Sequence, residues 1–301
     1  MSYIVNKIFK KNKNIFILIL LIIGYLLFFL FIKKKVWECF TIGNTDHNEC
    51  NDILIPSVSI QTSTKYTAII IEPRKHNALP FVLKNFTENL GDDWNFIIYY
   101  GNKNKEYINN IIKQFPLSTQ KRITLIQLNI DNLSVAQYST LFYCPAFYNN
   151  IPTDTFLIFQ TDSIILKENK DKIYDFIDYD YVGAPWSSKI GHLSKMGVGN
   201  GGLSLRKKKK MQELLSYKQN VIQNDKYGKY IAEDQFFNGY YTPQVQVWKP
   251  SVTQAMNFSV ETMFNETPFG VHKCWNWLSP DELVYMINKY PDIKKLASLQ
   301  N

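Results

Sequence analysis

From Tyr66 onwards, short apolar runs alternate with amphipathic segments. The runs at 66–71 (YTAIII), 95–101 (NFIIYYG), 122–128 (RITLIQL) and 155–160 (TFLIFQ) are continuous rather than alternating, the pattern of strands buried on both faces. Between them, 79–90 carries apolar residues at helical spacing and stops before Gly91. Residues 105–115 (KEYINNIIKQF) predict a second helix, and 135–150 a third that breaks near Pro145. Strands alternating with helices predict an α/β domain: a mostly parallel central sheet with helices on both faces. Beyond Asp180 the pattern loosens. A short strand is expected within 179–186 (YDYVGAPW), then a glycine-dense loop at 197–202 that feeds another strand. Helices follow at 207–216 and from Glu233, a strand at 245–248 (VQVW), and a C-terminal helix in 280–291.

The N-terminus follows a different rule. Residues 15–32 (IFILILLIIGYLLFFLFI) contain no charge. At the helical rise they span roughly 27 Å, close to the hydrocarbon thickness of a bilayer. A cleaved signal peptide has a shorter apolar core, of about 7–15 residues, ending in small residues. This run ends in Phe-Ile-Lys-Lys-Lys, so an uncleaved anchor is expected. The resulting organisation is a cytosolic tail (1–14), a transmembrane anchor (15–32), a polar stem (33–64) and an α/β domain (65–301). The lysine bias puts the tail in the cytosol and the domain in the lumen of a secretory compartment, as in a single-pass type II membrane protein.

That segment also explains the charge. The formal net charge is +8, but residues 1–35 hold seven lysines and no acid, leaving 27 basic against 26 acidic residues elsewhere. A nucleic-acid partner is therefore not expected. Lys207–Lys210 reads as a solvated helix start. Of the four cysteines, Cys39 and Cys50 flank a polar loop and can pair in an oxidising compartment, whereas Cys144 sits in an apolar helical pattern as a core residue. No C-x-x-C pair offers a structural zinc site. Sequons at Asn85, Asn132, Asn257 and Asn265 permit a lumenal location.

Asp162 is the first residue that asks for a chemical explanation. It follows an apolar strand, where an unpaired buried charge is costly. In parallel sheets, ligands bind beyond the carboxyl ends of the strands, and Asp162 lies at such an end. Gly197-Val198-Gly199-Asn200-Gly201-Gly202 is neither a dinucleotide fingerprint nor a P-loop. It reads either as a surface loop or as backbone held against a flat ligand, with Asn200 offering a carbonyl and an amide. Glu233 and Asp234 open an aromatic helix, where they serve as dipole caps or supply a general base. His272 and Lys273, beside Trp275, combine a metal ligand with a phosphate-binding cation. Together these groups suit departure of a nucleoside diphosphate, whose negative charge a Mn²⁺ or Mg²⁺ ion and a lysine stabilise.

The residues Glu72-Pro73-Arg74, FLIFQTDS (156–163), YDYVGAPW, GNGGLSLR (199–206), Glu233-Asp234, FSVE (258–261) and GVHKCW (270–275) resemble the family catalogued as domain of unknown function 5672. Members of that family resemble GT-A-fold glycosyltransferases, which bind nucleotide-diphospho-sugars. The resemblance implies a hexosyltransferase-like enzyme acting on a nucleotide-sugar donor and a glycan, protein or lipid acceptor, with inversion. It implies Asp162 as the last carboxylate of an Asp-x-Asp metal motif, with His272 as a second ligand. Gln160 stands where that motif has its first Asp, and it hydrogen-bonds without bringing charge. Glu72, Arg74, Gln160 and Lys273 fall on the donor side. Trp186, Asn200, Gly201 and Gly202 fall on the acceptor side. Asp234, or failing it Glu233, is the implied base. One ion and a diphosphate cannot bridge Asp162 to His272 beyond about 15 Å, so a wider gap breaks this reading.

Two other classes compete. One is a carbohydrate- or nucleotide-sugar-binding protein that keeps the fold without turnover, which Gln160 favours. The other is a nucleotidyltransferase, which needs a glycine-rich basic loop after the first strand. The segment EPRKHNALP (72–80) has no glycine.

Overall fold

The computed structural model describes residues 55–218 and 231–300. Its central sheet has six strands in the order β3-β2-β1-β4-β7-β6. These are β1 (Tyr66–Ile71), β2 (Trp94–Tyr100), β3 (Ile123–Gln127), β4 (Thr155–Phe159), β6 (Tyr181–Gly183) and β7 (Leu203–Lys207). The first four run parallel, while β7 is antiparallel to both β4 and β6. The parallel half matches the strands expected from the apolar runs to within a residue or so at either end.

Each parallel strand feeds two cores. β1 sends Ala68 and Ile70 into one cluster and Ile69 and Ile71 into the other. β4 does the same with Leu157 and Phe159 on one side and Phe156 and Ile158 on the other. This is why these strands lack a polar face, and each buried Ile, Leu or Phe contributes roughly 1.5–3 kcal/mol. Helix α1 (Leu79–Asn89) packs Leu79, Val82, Leu83 and Phe86 onto the first cluster. Helices α2 (Lys105–Ile112) and α3 (Leu117–Gln120) precede β3, and α4 (Val135–Phe142) and α5 (Pro145–Asn149) precede β4. A capping box between Ser134 and Gln137 starts α4, and Cys144 and Pro145 separate it from α5.

A second sheet of three short strands, in the order β5-β9-β8, sits beyond β4: β5 (Ser163–Ile165), β8 (Ser259–Val260) and β9 (Gly270–His272). The C-terminal part also contains α6 (Lys208–Leu215), α7 (Glu233–Phe237), α8 (Val252–Phe258), α9 (Pro280–Lys289) and α10 (Asp292–Ser298).

Several expectations change. Residues 245–248 form no strand; Val245 is buried, and Trp248 accepts from the Asp180 N–H and donates its own N–H to the Asp180 carboxylate. The end of the expected stem is not free of the domain, because Ile55, Val58 and Ile60 pack against the second cluster and Asn150 bonds to Pro56 and Val58. Cys144 is buried as expected but is disulfide-bonded, while Cys274 is free and buried. Asn85 is unsuited to glycosylation: it is buried, and its amide bonds both backbone groups of Ile165. In the lysine run, Lys207 and Lys208 turn inward to Thr155 and to the Ile151 carbonyl. The expected anchor at 15–32, with Cys39 and Cys50, lies outside the described residues. Among those described, no helix is long and apolar enough to cross a membrane.

Candidate active site

The small sheet assembles the charged centre. Antiparallel pairing sets Ser163 against His272, and one step further the Lys273 N–H donates to the Asp162 carbonyl at 2.9 Å. Parallel pairing sets Val260 against Val271, so the next residues, Glu261 and His272, lie side by side. Three residues distant in sequence thus meet at one end of the sheet. Asp162 Oδ1 lies 3.2 Å from His272 Nε2, and Glu261 Oε1 lies 3.3 Å from His272 Nδ1. Neither contact has the alignment of a hydrogen bond, so Asp162 Oδ1 and both imidazole nitrogens are buried without a hydrogen-bond partner. Native interiors rarely tolerate such groups unless a water, an ion or another ligand completes them.

The opposite wall is built by the glycine-dense loop and the start of α7. The Gly201 N–H donates to Asp234 Oδ2 at 3.2 Å, and the Gln235 N–H donates to Oδ1 at 2.8 Å. Glu233 turns away. Its carboxylate takes a two-pronged contact from Arg206, at 2.6 and 3.2 Å, with the guanidinium fully buried near the rings of Phe142 and Tyr181. The glycines serve the protein's own side chains before any flat ligand. A Cβ on Gly201 would overlap the Glu233 carboxylate, and one on Gly202 would overlap the His272 ring. Asn200 closes the loop, accepting from the Gly202 N–H at 2.7 Å and donating to Glu261 at 3.3 Å.

The third wall follows β1. Glu72 is buried and binds Arg74 through Nε and Nη2, both at 2.8 Å. The buried Asn104 side chain donates to the carbonyls of Glu72 and Arg74 and pins this turn. The space enclosed is about 390 Å³ and is also lined by Gln160, Asp162, Lys273, Asp234 and the residues that begin α4. Eleven of the twelve residues singled out from the sequence line it: Glu72, Arg74, Gln160, Asp162, Asn200, Gly201, Gly202, Glu233, Asp234, His272 and Lys273. The exception is Trp186, which is buried and is absent from the lining. Glu233 lines the pocket, but as Arg206's partner it is not available as a base. Sequence reasoning missed Arg206 and gave Glu261 no role. The only available signal was that a buried-strand arginine and a strand-end glutamate both need partners.

The electrostatics separate the two acids of interest. Burial alone would raise the Asp162 carboxyl, but the facing His272 and then Lys273 hold it at about 2. Burial would lower His272, yet Asp162 and Glu261 on either side push it up to about 9. Asp234 goes the other way. Burial, reinforced by the Glu233 charge, raises it to about 7, against the pull of the Gly201 N–H. A carboxyl titrating near neutrality suits proton transfer. Among the described residues, no three His, Cys, Asp or Glu side chains form a complete metal cage. Asp162 and His272 are a pair of donors. Neighbouring ligands at about 2.1 Å from one ion are about 3 Å apart, which the pair fits.

Comparison with known proteins agrees with this architecture. The galactosyltransferase LgtC, solved with donor and acceptor sugar analogues, superposes with a TM-score of 0.51 at 12% identity over 78% of this chain and 95% of that one. An active-site mutant of LgtC gives 0.50 at 13% identity, over 77% and 95%. The glycosyltransferase GlyE of Streptococcus pneumoniae TIGR4 gives 0.47 at 13% identity, over 78% of this chain and 63% of that one. No curated protein matches the sequence. The fold is thus α/β with a mostly parallel central sheet like that of glycosyltransferases. Residues 122–272, half of the chain, match the family described as protein of unknown function DUF5672, and the chain belongs to that family.

Proposed function

We propose that this chain is a glycosyltransferase that moves a sugar from a nucleotide-sugar donor to a hydroxyl of a glycan, protein or lipid acceptor. One observation carries the reading: Asp162 and His272 converge at 3.2 Å with unsatisfied buried atoms, beside Lys273, at the carboxyl end of a parallel strand. Asp162 and His272 are the residues that would hold a Mn²⁺ or Mg²⁺ ion, the imidazole releasing the proton that its two flanking carboxylates otherwise favour. The imidazole favours Mn²⁺, since Mg²⁺ takes oxygen ligands and dehydrates reluctantly. A divalent cation there supplies charge neutralisation for the departing diphosphate.

The chain's own residues do the rest. Lys273, 35% exposed, brings a second positive charge to the diphosphate. Glu72 and Arg74 orient the nucleotide, and Gln160 donates or accepts without adding charge. Asn200, Gly201 and Gly202 form the acceptor wall. Asp234 accepts the proton of the attacking hydroxyl, held in place by the Gly201 and Gln235 N–H groups. The base role carries an expectation of inversion at the anomeric carbon. NMR of the product tests it, and a retained configuration removes that role from Asp234.

The disulfide at Cys144 supports an oxidising compartment, and with the apolar segment 15–32 it supports a membrane-anchored, lumenal enzyme. The test uses the full chain in detergent with a panel of nucleotide sugars, reading thermal shift and donor hydrolysis with and without EDTA. Wild type should hydrolyse at least one donor slowly, and both EDTA and Asp162→Ala should abolish it. Equal turnover in all arms sinks the metal role. The second reading is a binding protein without turnover, favoured by the uncharged Gln160. Nucleotide-sugar binding with no hydrolysis at all would establish it.

A further inference from the structure

We propose that Glu261 is a positioning residue whose buried carboxylate orients the His272 imidazole, so that Nε2 faces Asp162 ready for a divalent cation. This rests on the metal-dependent reading above.

Glu261 is 3% exposed, and burying a carboxylate is expensive unless it is well compensated. Its compensation is thin. Oε1 accepts from Asn200 at 3.3 Å and faces His272 Nδ1 at 3.3 Å, with Lys273 Nζ 4.0 Å away, and Oε2 has no partner. An apolar residue of similar size would cost less at this position. What such a residue cannot do is face Nδ1.

An imidazole binds a metal through one nitrogen, and the partner of the other nitrogen decides which one is free. Here the two sides are distinct, with Glu261 on Nδ1 and Asp162 on Nε2. The ring is also held against its face, since Gly202 packs so closely that a Cβ would overlap Nε2, Cε1 and Cδ2. Asn200 joins the two restraints, bonding Glu261 with its amide and the Gly202 N–H with its carbonyl. Edge and face of the imidazole are thereby fixed by one connected set of residues, which also forms the acceptor wall. Tying the donor-side ligand to that wall keeps the two halves of the pocket in register.

The test measures Mn²⁺ binding directly. Free Mn²⁺ is followed by electron paramagnetic resonance in the full chain saturated with UDP, for wild type, Glu261→Gln and Glu261→Leu. UDP affinity is measured separately in EDTA, and melting temperature is recorded for each variant. Loss of an outer carboxylate behind a histidine ligand weakens metal binding by about 10–100-fold. Glu261→Leu should fall at the upper end and the isosteric Glu261→Gln at the lower, with UDP affinity in EDTA unchanged. Should Glu261→Leu fail to fold, Glu261→Gln carries the test alone. A lower melting temperature with wild-type Mn²⁺ affinity would make Glu261 merely structural and overturn this inference only. A wild type that binds no Mn²⁺ would overturn the metal reading and this inference with it.

Discussion

Two clusters of buried charge stand on opposite walls of the same pocket, and they are finished differently. Arg206 and Glu233 satisfy each other: two contacts link them, the rings of Phe142 and Tyr181 lie 5.0 and 5.1 Å from the guanidinium, and Ser204 accepts from its Nε at 2.9 Å. Asp162 and Glu261 face His272 at 3.2 and 3.3 Å, yet Asp162 Oδ1, both imidazole nitrogens and Glu261 Oε2 remain without hydrogen bonds. The desolvation cost is of the same kind in both. One cluster spends its charge on holding the fold. The other leaves it available, which is what a ligand site requires. Charge density alone does not mark a site; buried charged groups left without hydrogen bonds beside a pocket point to one.

That contrast can be broken in order of expected effect. Arg206→Met strands a buried carboxylate and should destabilise the domain by about 3–5 kcal/mol in urea titrations. The double variant with Glu233→Leu should recover most of that loss, because no lone charge is left. A single-variant loss near zero would show the pair to be idle.

Asp234 comes next. Its folded pKa, about 7, lies above its unfolded value, so between about pH 4 and pH 7 the folded state binds the extra proton. Its stabilising contribution is therefore full below about pH 4 and is lost as pH rises towards 7, at no more than about 1.4 kcal/mol per pH unit. Stability measured across that range should slope less in Asp234→Asn. Transfer should show the opposite trend, rising through pH 7 as the base ionises, and the variant should lose about 10²–10⁴-fold.

Asp162→Asn should weaken Mn²⁺ binding by more than the about 10–100-fold expected for an outer partner such as Glu261, with the melting temperature less affected. Unchanged affinity would erase the distinction between the clusters. The smallest effect is expected from Gly202→Ala. Its methyl must displace the His272 ring, costing about 1–3 kcal/mol of stability and weakening the metal site in parallel. A crystal structure of that variant with His272 unmoved would show the close approach to be incidental.

The parallel half was legible in the sequence because its signals are local. Strands buried on both faces read as apolar runs, as at 66–71, and the helix beginning at Leu79 reads by its spacing. The strand expected at 245–248 failed because the V-Q-V-W alternation says nothing about whether a neighbouring edge is available. Trp186 sits in an aromatic motif, but its burial is decided by packing.

At the candidate site the sequence by itself determined residue types: Asp162 ending a strand, Asp234 opening a helix, His272 and Lys273 side by side. Only the tertiary structure decided which of these are unsatisfied. Glu233 and Asp234 are chemically alike neighbours, yet one is neutralised by Arg206 and the other faces the pocket. Glu261 acquires its place through strand register with His272, across a loop of nine residues between β8 and β9. Residue chemistry is carried by each side chain alone, whereas pairing and desolvation depend on distances that only the folded chain sets.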